Sequence, residues 1–308
     1  MDATLIADLL YTALRAGTPL ALCALGVLIA ERAGVLNLGQ EGIMLMGAVT
    51  GFVVCTETGS YSLGVLASTG VGASMGLLFA GLTQGLYANP VASGLALAVF
   101  GSGLSTFIGS DYVGSPLAGI PSLTIPWLSK LPLIGKALFG QDPLLYLAWT
   151  LALVTGLVLH RSRHGLVLTA VGENPEVAHR LGIRVALLRT LTACIGAAMT
   201  GLGGAYLSLV YTPLWTAEMS AGRGWIALAM VVLAGWRTGG VVAASYLFGF
   251  FSIFNLLMQD MGWSMSPNLL AMTPYVFCLL ALIILSGKGR FSARRAPTAL
   301  GQNFHAES

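Results

Sequence analysis

Apolar runs of membrane-spanning length recur along almost the whole chain, separated by short polar interruptions. The hydrocarbon core of a bilayer is about 30 Å thick, so a helix rising about 1.5 Å per residue needs roughly 20 mostly apolar residues to cross it. Runs of this kind fall at about 16–36, 40–56, 62–87, 91–109, 144–160, 186–211, 223–236, 238–259 and 271–287. The pattern predicts an all-α polytopic membrane protein with about nine transmembrane helices, some short enough to be broken or tilted. It also predicts a short interfacial helix at 5–14 and a single transmembrane domain over 1–308. At the N-terminus, MDATLIADLL carries Asp2 and Asp8 where a secretory signal carries basic residues, so the first span is expected to be retained.

Composition agrees with the pattern. The 308 residues are 56% hydrophobic and only 9% charged, with a mean hydropathy of +0.82, whereas soluble domains carry about 25% charged residues. The net charge of +3 does not point to nucleic acid; the placement of the charges is what informs. Arg161, Arg163, Arg180, Arg184 and Arg189 surround the loop after the fifth run, and Lys288, Arg290, Arg294 and Arg295 follow the last. Basic loops face the cytoplasm, which makes 161–185 a cytoplasmic loop and 288–308 a cytoplasmic tail, with the N-terminus outside. Glu57, Asp111, Asp142, Glu218 and Asp260 then fall on outer loops. The longest of these, 111–143, carries Lys130 and Lys136 against the trend and is rich in Gly and Pro, a composition suited to short surface helices. Cys23, Cys55, Cys194 and Cys278 are scattered in apolar runs and read as small buried hydrophobes. Small residues four apart, as at Gly47/Gly51, Gly72/Gly76/Ala80 and Ala197/Gly201/Ala205, allow close helix approach in lipid.

Against this background the stretch TAVGENPEVAHRLGIRV, 169–185, is unusually polar. A solvated positive-inside loop is one reading. The punctuation favours a helix of about two turns: Asn174 suits an N-cap, Pro175 the first helical position, and Glu176 the positive helix end. Gly182 suits a left-handed stop. The spacing Glu176-x-Ala178-x-x-x-Gly182 resembles the EAA-x-x-x-G signature of permease subunits of ABC importers, with Val177 at the second position. The resemblance implies that Gly172, Glu173, Asn174, Pro175, Glu176, Ala178, Leu181 and Gly182 belong to a coupling helix that docks into a separate ATP-hydrolysing subunit.

A second block, ERAGVLNLGQEGIMLMGA at 31–48, is similar to permeases of the sugar, nucleoside and branched-chain amino-acid group. Glycines there interrupt an apolar run and bring Asn37, Gln40 and Glu41 into it. Polar groups at membrane depth are tolerated where broken helices line a cavity or pack on protein. Two readings therefore stand: a substrate path, or a helix–helix turn whose polar groups bond backbone. NPVASGLAL (89–97), GRGWIALAMVVLAGWRTGG (222–240) and APTALGQNF (296–304) extend the resemblance, which is nearest to nucleoside and purine importers paired with lipoprotein binding proteins. Phe100 and Asn255 join Asn37, Gln40 and Glu41 as candidates for the path. Arg223 and Trp225 read as an interfacial anchor, Trp236 and Arg237 as snorkelling residues in a tight turn, and Glu31 with Arg32 as a locally neutralised pair.

Other classes are disfavoured. An ion-coupled secondary transporter would favour inverted repeats and a mid-membrane acid, and no repeat is evident. A membrane enzyme needs a nucleophile–base pair or a metal set, yet His160, His164, His179 and His305 all map to the predicted cytoplasmic face. SGKGR at 286–290 lacks the spacing of a phosphate loop. No catalytic or metal-binding residue is therefore expected, and no cofactor on this chain. The resemblance implies ATP and Mg on a partner ATPase, a second and non-identical permease subunit, an extracytoplasmic substrate-binding protein, and a small nucleoside or purine-type solute. A simple sugar or a branched-chain amino acid is the alternative, and the location implied is the bacterial cytoplasmic membrane.

Overall fold

A computed structural model describes residues 3–123, 134–260, 272–287 and 296–305. Among them every regular element is helical. The first, α1 (Ala3–Arg32), is 30 residues long, a rise of about 45 Å. It joins the expected interfacial helix and first span into one. Leu20, Leu22, Leu25 and Leu28 are buried all around it, so α1 is a central helix with no polar face to turn outward. It stops four residues short of the expected span end at 36, because Ala33 to Gly39 form a turn before α2 (Gln40–Thr58).

Next come α3 (Tyr61–Ala80), widened into a π-turn at Gly81–Gly85, and α4 (Pro90–Gly109). The start of α4 is local chemistry: Asn89 Oδ1 accepts from the amides of Val91 and Ala92, ahead of Pro90 at the first position. A short α5 (Ile134–Phe139) leads to α6 (Pro143–Arg161), α7 (Arg163–Glu173) and α8 (Pro175–Arg180). The chain then runs through α9 (Val185–Tyr206), which ends in a second π-turn at Leu207–Tyr211, to α10 (Arg223–Leu233), α11 (Thr238–Asp260) and α12 (Thr273–Gly287).

Five described helical stretches are long and apolar enough to cross a membrane: Ile6–Arg32, Tyr61–Gly85, Pro90–Tyr112, Pro143–Arg161 and Val185–Tyr211. Arg223–Leu233 and Thr238–Phe254 are apolar but shorter. At the centre, α9 packs on α1, α2 and α3 through the small residues. A Cβ on Gly47 would collide with the carbonyl of Gly201, one on Gly72 with that of Ala197, and one on Gly196 with that of Gly26. The small-residue rows are therefore used within the chain. One of them, Gly72-Ala73-Ser74-Met75-Gly76, has the Gly-x-Ser-x-Gly spacing of a hydrolase nucleophile turn. It lies inside α3, and Ser74 Oγ donates to the carbonyl of Gly70 in its own helix, so the spacing reflects packing.

The two ends of the bundle differ. At one, Lys136 Nζ meets Asp8 at 2.5 Å and Tyr112 donates to Glu57 at 2.7 Å. Just inside it, buried Asp142 caps α6 through the Leu145 amide and accepts from Tyr206 at 2.8 Å. The other, basic end gathers Arg161, Arg163, Arg180 and Arg184 around α7 and α8. The tail segment 296–305 also lies there.

Candidate functional site

The basic end is built around α8. Asn174 Oδ1 accepts from the Val177 amide at 3.0 Å, Pro175 takes the first helical position, and Gly182 ends the segment at φ +84°. A six-residue helix does not hold its shape alone in water. Support comes from Ala178, which is buried with Val171 of α7 and Val185 of α9, with Ile183, Leu188 and Phe304 packed around them. The outer face is unusual for so short a polar segment: Val177 is 51% exposed and Leu181 76%. Glu176, His179 and Arg180 surround these aliphatics and are exposed too.

Phe304 arrives from the tail, which acts as a strap. The Ala299 amide donates to the carbonyl of Gly172 at 2.9 Å, and Thr298 Oγ1 donates to Glu173 Oε2 at 2.8 Å. Two residues on, the Gly301 amide reaches the carbonyl of Gly34 in the α1–α2 turn. Asn303 Nδ2 donates to the carbonyls of Tyr87 and Ala88 between α3 and α4, and His305 stacks on Tyr87 at 4.4 Å. His179 of α8 lies 5.5 Å from the Phe304 ring. One ten-residue segment thus bonds α7, the α1–α2 turn and the α3–α4 loop, and packs on α8.

Arg189 locks the same junction. Expected as a loop charge, it is a buried residue of α9, 1% exposed. Its Nε donates to the carbonyl of Ala33 at 3.2 Å and its Nη1 to that of Gln302 at 2.7 Å. A buried guanidinium is tolerated only where fixed acceptors replace water; the turn and the strap supply them to Nε and Nη1, while Nη2 is buried without a partner.

Beyond the α1–α2 turn lies a broken span. Only eleven residues of the apolar run 223–236 are helical, so α10 rises about 16 Å, half the hydrocarbon thickness. Its C-terminal turn is fixed at the basic end: Trp236 Nε1 donates to Glu31 Oε2 at 2.6 Å, and Arg32 Nη2 donates to the Trp236 carbonyl at 2.5 Å. Trp236 is 4% exposed with φ +54°, a buried anchor rather than the snorkelling residue expected. The N-terminus of α10 therefore opens near the middle of the bundle, where its first amides need acceptors.

Glu41 provides them. One carboxylate oxygen accepts from Ser220 Oγ at 2.5 Å and the Gly222 amide at 2.8 Å; the other accepts from the Gly224 amide at 2.7 Å. Gly224 lies so close to the α2 backbone that a Cβ would overlap Glu41. A carboxylate at a helix N-terminus also meets the positive end of the helix dipole. Beside it, Gln40 Oε1 accepts from Thr200 Oγ1 of α9 at 2.7 Å, Gln40 Nε2 donates to the Asn37 carbonyl, and Asn37 Oδ1 accepts from the Gly39 amide.

Of the five residues predicted for a path, Asn37, Gln40 and Glu41 come together: Asn37 bonds its own turn, Gln40 ties that turn to Thr200 of α9, and Glu41 caps α10. Phe100 does not join them. It is 52% exposed, because Gly94, Leu97, Ala98 and Gly101 take the α2 side of α4. Asn255 belongs to α11, but its side chain lies outside the described residues. Arg223 is no simple anchor: it starts α10, donates to the Met219 and Ser220 carbonyls, and sits over the Tyr211 ring. Thr200, Ser220 and Arg189 were not anticipated. Their partners are more than 100 residues away in sequence.

Comparison with known proteins fits this architecture. Residues 9–286 match the family model described as the permease component of the branched-chain amino acid transport system. The chain belongs to that permease family. Among relatives, a putative glucose ABC transporter permease of Haloferax volcanii is 43% identical over 85% of this chain and 81% of its own. The nucleoside ABC transporter permease NupC of Lactococcus lactis is 32% identical over 93% of both chains. The guanosine ABC transporter permease NupQ of Bacillus subtilis is 31% identical over 92% of this chain and 91% of its own. No solved structure matches the permease. It is a multi-pass membrane subunit of an ABC importer, and α8, the strap and the capped half-helix all lie within or beside the matched region.

Proposed function

We propose that this permease carries a nucleoside or purine-type solute across the cytoplasmic membrane, and that α8 is where a separate ATPase subunit grips it. The observation that carries the coupling assignment is the capped six-residue helix with Val177 and Leu181 exposed on its outer face and Ala178 buried beneath. Exposed aliphatics ringed by charge suit a protein cleft better than water. ATP and Mg act on the partner; closure of its cleft moves α8, and the strap passes the displacement to the α1–α2 turn. From there Glu41 links the turn to the start of α10, so the half-helix responds. Such transmission requires contacts that differ between two states, which hydrogen bonds at segment ends can provide. Gly172, Glu173, Asn174, Pro175, Glu176, Ala178, Leu181 and Gly182 form the coupling unit in this reading.

The basic end is then cytoplasmic, with 161–185 and 288–308 on that face and 111–143 outside. Nine crossings follow if 212–236 crosses partly as non-helical chain. A second, non-identical permease subunit completes the path, and an extracytoplasmic binding protein delivers the solute. A simple sugar is the second reading for the solute, supported by the 43% identity to the putative glucose permease. Both solute types present a hydroxylated ring, and binding of guanosine, inosine, ribose and glucose to the cognate binding protein separates them.

Reconstituted transporter tests the coupling reading. Glu176→Ala and Gly182→Val are expected to lower uptake at least about tenfold while insertion into the membrane is preserved. Gly182→Val also places a β-branched residue at positive φ, with strain of about 1–3 kcal/mol. Uptake at the parent rate in both variants would remove α8 from the mechanism.

A further inference from the structure

Between α6 and α7 on one side and α3 and α9 on the other lies a cleft of about 860 Å³ that the transport reading does not use. Its walls are apolar side chains, among them Leu66, Val154, Val158, Leu191 and Ile195, all of them exposed. Thr69, Thr155 and Thr192 also line it; Thr155 is buried, and Thr69 and Thr192 each donate the hydroxyl to a carbonyl of their own helix. Such a surface offers a hydroxylated solute almost nothing to bond, so it is not a solute path. It suits hydrocarbon.

Its length and its ends identify which hydrocarbon. On α9 the lining runs from Leu188 to Leu202, about 21 Å at helical rise. That exceeds the roughly 15 Å acyl depth of one leaflet, so a chain entering from the basic end is accommodated along its whole length. At that end the lining changes character to Arg163 and His164. Both are exposed, and among the described residues no hydrogen bond or ion pair engages either side chain. An apolar slot with an unpaired guanidinium and an imidazole at its headgroup end matches an anionic amphiphile.

We propose that this cleft is a binding site for an anionic phospholipid of the leaflet at the basic end. One acyl chain lies against Val154, Leu191 and Ile195, and the phosphate faces Arg163 and His164. The lipid would fill the space between α6–α7 and the α3–α9 core, bracing α7, which leads directly into α8.

The test uses the assembled transporter in mild detergent, supplied with phosphatidylglycerol or phosphatidylethanolamine and analysed by native mass spectrometry. The parent should retain phosphatidylglycerol in preference. Arg163→Gln combined with His164→Gln should lower that retention by at least about fivefold, the effect of losing one arginine charge near the surface, with phosphatidylethanolamine unchanged. Ile195→Trp, which fills the slot, should displace the lipid with Arg163 and His164 still in place. The proposal fails if phosphatidylglycerol retention is unchanged in the double variant, or if both lipids are retained equally by the parent. Loss of the ATPase from the double variant with lipid retention intact would assign Arg163 and His164 to subunit docking. Loss of the partner permease from Ile195→Trp would assign the slot to a subunit contact. Either result overturns the lipid assignment. Glu176→Ala, which disables coupling but leaves the cleft intact, should keep its lipid, so failure of the transport reading is distinguishable.

Discussion

Replacing Glu41 by alanine removes three hydrogen bonds from the start of α10 at once. Hydrogen bonds to a charged group contribute about 1.5–3 kcal/mol each. They are not additive, and Glu41 is half-buried, so water recovers part of the loss. A net cost of about 3 kcal/mol for opening the first turn of α10 follows, or about 100-fold in the equilibrium between closed and open forms. The amides of Gly222 and Gly224 report that opening directly. Hydrogen exchange of the peptide covering 218–230, followed by mass spectrometry of the transporter in nanodiscs, should accelerate about 100-fold there. Peptides from α3 and α9 should be unaffected. Glu41→Gln keeps the shape but turns an amide N–H toward backbone donors, so an intermediate acceleration of about tenfold is expected. Exchange within about threefold of the parent in Glu41→Ala would refute the cap as the element that holds the half-helix, whatever the effect on uptake.

Other substitutions probe the neighbouring joints. Arg189→Met removes the bonds to Ala33 and Gln302 while keeping the bulk; the tail should become cleavable by added protease, and a resistant tail would count against the strap. Trp236→Phe leaves Glu31 without its indole donor, a loss of about 1–3 kcal/mol that a lowered thermal midpoint in detergent would register and an unchanged midpoint would contradict. Gly201→Leu drives a side chain into the Ser68 carbonyl and Gly72, beyond the roughly 1–3 kcal/mol that overpacked cores tolerate. It should not accumulate as a monodisperse species on size-exclusion chromatography, whereas normal recovery would mean that α3 and α9 are less tightly opposed.

Local chemistry was readable and long-range pairing was not. Asn174, Pro175 and Gly182 announce α8 because capping involves residues within three or four positions. The half-length of α10 was hidden, because an apolar run such as 223–236 has the same composition whether the chain inside it is helical or not. Its cap comes from Glu41, about 180 residues earlier, and no periodicity links the two. Arg189 read as a positive-inside charge for a related reason: the carbonyls that make its burial tolerable belong to Ala33 and Gln302. Phe100 was misplaced on a correct helix. The small residues of α4 determine which side faces α2, and they turn the aromatic ring away. The separate interfacial helix expected at 5–14 is instead continuous with the first span, because the buried α1 runs unbroken through Arg15.

The central claim is that the engine is a separate subunit acting through α8. A photo-crosslinking amino acid placed at Leu181, in the otherwise intact assembled transporter, tests it most directly. The prediction is an adduct with the ATPase subunit whose yield differs between ATP-bound and nucleotide-free states. Absence of that adduct, with the ATPase still co-purifying, would contradict the account.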